Sequence, residues 1–102
     1  IAGNQGGGLA LWGVQGVTTI TDTRFINNGS DHRGAGVHLA DSASASFTGA
    51  TFEGNSAEIG GGLMCSHTQG QGYFTIEATD FSGNAPEDTA CDGCGTDGPW
   101  CN

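Results

Sequence analysis

Large apolar residues recur in this chain at three kinds of position. Aliphatic pairs spaced i, i+2 follow small-residue triplets: Leu9/Leu11 after Gly6–Gly8, Val37/Leu39 after Gly34–Gly36, and Leu63/Cys65 after Gly60–Gly62. Ile20, Phe47 and Ile76 sit among Thr and Ser, each five residues before a phenylalanine. Those phenylalanines open the motif Phe-x-x-Asn, as Phe25–Asn28, Phe52–Asn55 and Phe81–Asn84. Equivalent positions lie 26 to 29 residues apart. A fixed spacing of this size marks a repeat architecture in which neighbouring copies bury each other.

Alternation of apolar and polar residues predicts short strands, because successive side chains of a strand point to opposite faces. Three strands are expected per repeat. The first follows the glycines, and the second carries Ile20, Phe47 or Ile76. The third ends at Phe25, Phe52 or Phe81. Asn three residues later, usually beside Gly, marks a turn. One repeat offers about four large apolar side chains, worth ~1.5–3 kcal/mol each when buried. Ordering its backbone costs ~1–2 kcal/mol per residue. A single repeat therefore cannot fold alone, whereas stacked copies share a continuous core. Strands that recur once per repeat must run parallel, which predicts an all-β parallel β-helix of about three rungs. The expected rungs are 6–33, 34–59 and 60–89, after a partial rung over 1–5. A cysteine-rich cap is expected over 90–102.

The pairing of Gly-Gly-[Ala/Gly]-aliphatic with Phe-x-x-Asn resembles the repeat of the chlamydial polymorphic outer-membrane proteins. The resemblance covers Ile1 to about Asn84. It implies a right-handed, pectate-lyase-like β-helix with a structural or adhesive role at a cell surface or outside the cell. This chain departs from that repeat in having Gly in place of the usual Ala before the aliphatic residue, and in its cysteine-rich end. The motif residues of that family are architectural, so the resemblance carries over no catalytic residue.

Composition sharpens this picture. The 102 residues include 20 glycines, 11 acidic residues and only two basic ones, both Arg, for a net charge of −9. Without clustered Lys or Arg, nucleic acid is excluded as a partner. No apolar run is long enough to insert into a bilayer as a helix. No motif asks for a cofactor, since the glycine triplets lack the Lys-Ser/Thr of a phosphate loop. The expected partners are further repeats of a longer chain or other copies of this one, because Ile1–Asn4 covers little of the first rung. Carbohydrate stands as a second partner class.

Four cysteines, Cys65, Cys91, Cys94 and Cys101, make an even number in a Lys-free, Gly- and Thr-rich chain. They predict two disulfides and an oxidising, extracellular or cell-surface location. Cys65 is expected to join the Cys91/Cys94 pair, leaving Cys101 with the other member. A bridge closing about 30 residues is worth ~3–4 kcal/mol. The metal alternative sets Cys65-x-His67 with Cys91-x-x-Cys94 as four zinc ligands. Asn28, Asn55 and Asn84 are expected to form a side-chain ladder. Asn28-Gly29-Ser30 is also a glycosylation sequon, and the two roles compete for one amide nitrogen. The outward Thr and Ser rows suggest ice binding, but Ser46 and Glu77 interrupt them. Asp22 and Asp80, with Arg24 beside them, are the candidates for polysaccharide cleavage. Gly49 and Thr51 between them supply no partner, and neither His32 nor His38 has a partner for a catalytic triad. The expectation is a non-enzyme.

Overall fold

In the computed structural model, which describes residues 1–5, 7–31, 33–41, 43–66, 72–96 and 100, the apolar rows of the sequence become columns. Among these residues there are eleven strands and no helix: β1 (Leu9–Trp12), β2 (Val17–Thr21), β3 (Arg24–Ile26), β4 (Val37–Ala40), β5 (Ser44–Thr48), β6 (Thr51–Glu53), β7 (Leu63–Ser66), β8 (Tyr73–Glu77), β9 (Asp80–Ser82), β10 (Thr89–Asp92) and β11 (Gly95–Thr96). Strands three apart in chain order pair in parallel. They form three sheets, ordered β1-β4-β7-β10, β2-β5-β8-β11 and β3-β6-β9.

The register follows the repeat. Leu9, Val37, Leu63 and Thr89 are successive partners, as are Ile20, Phe47 and Ile76. Phe25, Phe52 and Phe81 make the third column. A slip of one residue would turn each row outward, so the buried rows themselves enforce the pairing. Phe25 and Phe52 stack with ring centroids 4.9 Å apart, and Phe52 and Phe81 with 4.8 Å. Phe47 meets Phe52 edge-on at 5.5 Å. Phe25, Phe47, Phe52 and Phe74 are fully buried, together with Val37, Leu39, Leu63 and Cys65. Leu9, Ile76 and Phe81, expected in the same rows, are only partly buried because each lies near one end of a column. Phe74 and Ala45 form a further inward column that belongs to no named motif.

Each strand must be released at the corner of the sheet. Asn27, Gly54 and Gly83 occupy one such corner in successive repeats, all with φ between 52° and 66°. Asn and Gly are the residues that tolerate this left-handed conformation best. The third glycine of each triplet serves a different need, close approach. A Cβ on Gly36 would overlap the Gly62 carbonyl oxygen and come within 3.0 Å of the Phe52 ring.

Pairing does not stop at residue 89. β10 continues the first sheet and β11 the second, although neither follows a glycine triplet with an aliphatic residue. The start of the expected cap thus falls inside β10. At the other end, Ile1–Asn4 lies on β3 and the turn after it. Ala2 bridges Ile26, the Ile26 N–H donates to the Ile1 carbonyl, and the Gly3 N–H donates to the Ile26 carbonyl. Among the described residues, no strand pairs with the outer edges of β1 and β2.

Candidate functional site

The Asn side chains of the Phe-x-x-Asn motifs follow the third strands, where each corner turns the amide back toward the core. The Asn28 Nδ2 donates to Asn55 Oδ1 at 3.0 Å, and the Asn55 Nδ2 donates to Asn84 Oδ1 at 2.9 Å. The same oxygens also accept the backbone N–H of Asn28 and of Asn55, both at 3.0 Å. The second amide hydrogen of each goes to a backbone carbonyl: Asn55 to Phe25 and Asn84 to Phe52, both at 2.9 Å. Asn28 and Asn55 are buried, and this bonding is what makes burial of an amide tolerable.

The ladder has two ends. Asn4 begins it by donating to Asn28 Oδ1 at 3.1 Å from both its backbone and its side chain. Asn84 has no following Asn and donates instead to Asp88 Oδ1 at 3.1 Å. Asp88 was not singled out from the sequence. Its one signal is a position four residues after the last ladder Asn, where its carboxylate can only accept. The ladder also bears on the sequon. Asn28 is 1% exposed, and its Nδ2 donates to both Ile1 O and Asn55 Oδ1. A glycan on that nitrogen would replace a bonded hydrogen in the interior, so the folded chain leaves it no room.

Cys65 and Cys94 are joined by a disulfide with Cα atoms 6.1 Å apart. Cys91, not Cys94, is the in-register partner of Cys65. Parallel neighbours lie about 4.8 Å apart with side chains pointing the same way, whereas a disulfide needs Cβ atoms about 3.5–4.5 Å apart. The chain must therefore turn before it can bridge, which it does at Gly93, with φ 83°. Cys91 is also disulfide-bonded. Cys101, expected to complete the second bridge, and His67, the remaining ligand of the zinc alternative, lie outside the described residues. With their sulfurs bonded to each other, Cys65 and Cys94 are closed to zinc. Disulfides of this kind form and persist in an oxidising compartment. We expect thiol titration of the denatured, unreduced chain to find none; four titratable thiols with stoichiometric zinc would reverse the assignment.

The candidate acids are not brought together. Asp22 occupies the corner after β2, whose equivalents are Gly49 and Ala78. Asp80 stands on β9 in register with Thr51, which is itself paired with Arg24. The two carboxylates thus belong to different columns, and both are exposed. Among the described residues, no helix is long and apolar enough to cross a membrane.

His38 is the titratable residue most affected by its surroundings. Its Nε2 lies 2.9 Å from Ser66 Oγ, and its ring meets Trp12 edge-on at 5.8 Å. Partial burial lowers the pKa of the imidazole below its ordinary value, and the positive charge of Arg33 lowers it further. Arg33 pairs with Asp92, at 3.6 Å. The charge that acts on His38 is therefore a cation, the reverse of the carboxylate that orients histidine in a serine–histidine–aspartate triad. The arrangement ties β4 to β7 through a half-buried imidazole and a buried hydroxyl.

No protein-family model, curated protein or solved structure matches the chain.

Proposed function

We propose that the chain is a segment of a right-handed parallel β-helix with a disulfide-rich C-terminal end, serving a structural or adhesive role in a secreted or cell-surface protein. The observation that carries this reading is how the recurring residues are used. Phe25, Phe52 and Phe81 stack on one another, and Asn28, Asn55 and Asn84 bond to one another. The residues that define the repeat are thus consumed in holding copies together. A right-handed path is the rule for parallel strands joined by crossovers in one sheet. The resemblance to the chlamydial surface-protein repeat points to the same role, and the disulfide suits the same location. The open edges of β1 and β2 suit end-to-end association with further repeats or another copy.

A second reading, a carbohydrate-binding or carbohydrate-active module, draws on Trp12, a large aromatic ring exposed on the outer face beside His38. Incubation with acidic and neutral polysaccharides, assayed for reducing ends and unsaturated uronides, separates the two. No turnover is expected. Turnover abolished by Asp22→Asn or Asp80→Asn would overturn the structural reading. Saturable oligosaccharide binding lost in Trp12→Ala would favour the module.

A further inference from the structure

The geometry points to a binding surface for a neutral oligosaccharide on the outer face of the second sheet, with Tyr73 as its stacking ring. The inference rests on the reading of the chain as an adhesive β-helix segment, and names the chemistry that its adhesive surface takes.

The three sheets present different outer faces. On the first, Ala40, Met64 and Ser66 point outward by alternation and yet are buried, with His38 half-buried beside them. On the third, Arg24, Glu53 and Asp80 are exposed, so that face is charged. The second sheet differs from both. Its strands β2, β5 and β8 turn three rows outward: Val17, Ser44 and Tyr73; Thr19, Ser46 and Thr75; Thr21, Thr48 and Glu77. All of these side chains are exposed or half-exposed, and Glu77 is the only charged residue among them. The first row continues to Gly95 of β11, the register partner of Tyr73.

A pyranose has a face of C–H groups and a rim of hydroxyls. It needs a flat apolar ring for the first and hydrogen-bonding groups for the second. Tyr73 supplies the ring. It is 45% exposed, and its backbone N–H donates to Ser44 Oγ at 3.1 Å. Its ring rests against Gly95, where a Cβ would come within 2.7 Å of it. The missing side chain at Gly95 is thus what allows the ring to lean over β11. Beside it lies a cleft of about 370 Å³, bounded by Gly72, Gly93, Cys94, Gly95 and the ring itself. That volume falls in the range of small-ligand sites. Walls made of glycine expose backbone N–H and C=O groups to a ligand. They are also held in place before any ligand arrives. The Gly95 N–H donates to the Gly72 carbonyl at 3.0 Å, and Cys94 is bonded to Cys65. A site fixed in this way loses little free energy to ordering on binding.

The hydroxyl rows extend the surface away from the ring. Neighbouring positions follow at strand geometry, about 4.8 Å across the sheet and about 6.6 Å along it. Thr75 Oγ1 donates to Ser46 Oγ at 3.1 Å, which orients the pair, and each hydroxyl keeps further bonding capacity for a ligand. One ring, a cleft and a flat run of hydroxyls suit an extended sugar chain better than a compact solute. Charge decides which sugar chain. The face carries no cation, and the chain as a whole has a net charge of −9, so a polyanion would be repelled and a neutral chain would not.

Titration of the intact, oxidised chain with neutral gluco-, xylo-, manno- and N-acetylglucosamine oligosaccharides, and with oligogalacturonate, tests this by calorimetry and by amide chemical shifts. Saturable binding of at least one neutral oligosaccharide is expected, with shifts concentrated on β5, β8 and Gly95. Tyr73→Ala should weaken it at least about 10-fold while keeping the native disulfides, because the ring is exposed and supports little of the core. Ser46→Glu, a charge set among the hydroxyls, should weaken it as well, and decides if Tyr73→Ala does not fold. The absence of saturable binding across the neutral panel would overturn the surface and leave the structural reading standing. Tighter binding of oligogalacturonate than of any neutral sugar would overturn it too. So would binding that survives Tyr73→Ala and is lost in Trp12→Ala, since that assigns the sugar to the first sheet. Turnover of the bound sugar, abolished by Asp22→Asn, would sink the structural reading and spare the surface.

Discussion

Replacing Phe52 with alanine should cost ~3–5 kcal/mol of unfolding free energy, the range for losing a buried aromatic ring and leaving a cavity. Phe52 is fully buried, with Phe25 above, Phe81 below and Phe47 against its edge. Strands on either side are held in register by the same column, so the cavity cannot close without breaking pairing that other residues enforce. Phe81→Ala should cost less, because Phe81 is only partly buried and Trp100 can settle toward the gap. Denaturant unfolding of the two variants, followed by far-ultraviolet circular dichroism, gives the comparison. Equal losses would mean that the column is not a continuous packed unit.

Asn55→Ala is expected to cost at least about 3 kcal/mol, from buried hydrogen-bonding groups left unpaired at ~1–3 kcal/mol each, Asn84 Oδ1 alone keeping a bond from the residue-55 backbone N–H. Four partners are involved: the backbone N–H and Nδ2 of Asn28, the Phe25 carbonyl and Asn84 Oδ1. Asn55→Asp separates hydrogen bonding from shape. The carboxylate keeps the acceptor for Asn28 but presents an oxygen to two oxygens, those of Phe25 and Asn84. Its folded-state pKa should therefore be raised, because the buried neutral form is favoured. Stability of this variant should be greatest below the unfolded carboxyl value of about 3.9 and fall as pH rises through the folded value. A melting temperature that falls more between pH 4 and pH 7 than in the parent chain would show it. An Asp variant as stable as the parent at neutral pH would remove the ladder from the core's energetics.

The columns were legible from sequence because every repeat spends the same residue types at the same spacing. Period-two alternation placed β1, β2, β4, β5, β7 and β8, and Phe-x-x-Asn placed β3, β6 and β9. What escaped notice was set by position along the stack. β10 carries Thr89 and Cys91 where earlier repeats have Leu9 and Leu11, so no hydrophobic signal marks it, yet β7 offers it an edge to pair with. Phe74 escaped because its equivalents are Thr18 and Ala45, small residues that disguise an inward column. The choice of Cys94 over Cys91 needed the distance between parallel neighbours, which spacing alone does not contain. Asp88 caps the ladder through a bond across four residues, and an acidic residue in a turn has too many ordinary uses to be recognised in advance.

The Cys65–Cys94 bond also governs how the chain responds to tension. Nearly every other hold on its shape is a non-covalent contact between repeats, which yields one strand at a time when the termini are drawn apart. The 29-residue separation spanned by the disulfide cannot pay out at all. At roughly 3.3–3.6 Å per extended residue, it withholds about 100 Å of contour length. The N-terminal repeats are thus extensible while the last ones form a stop, and a reducing environment would convert that stop into slack.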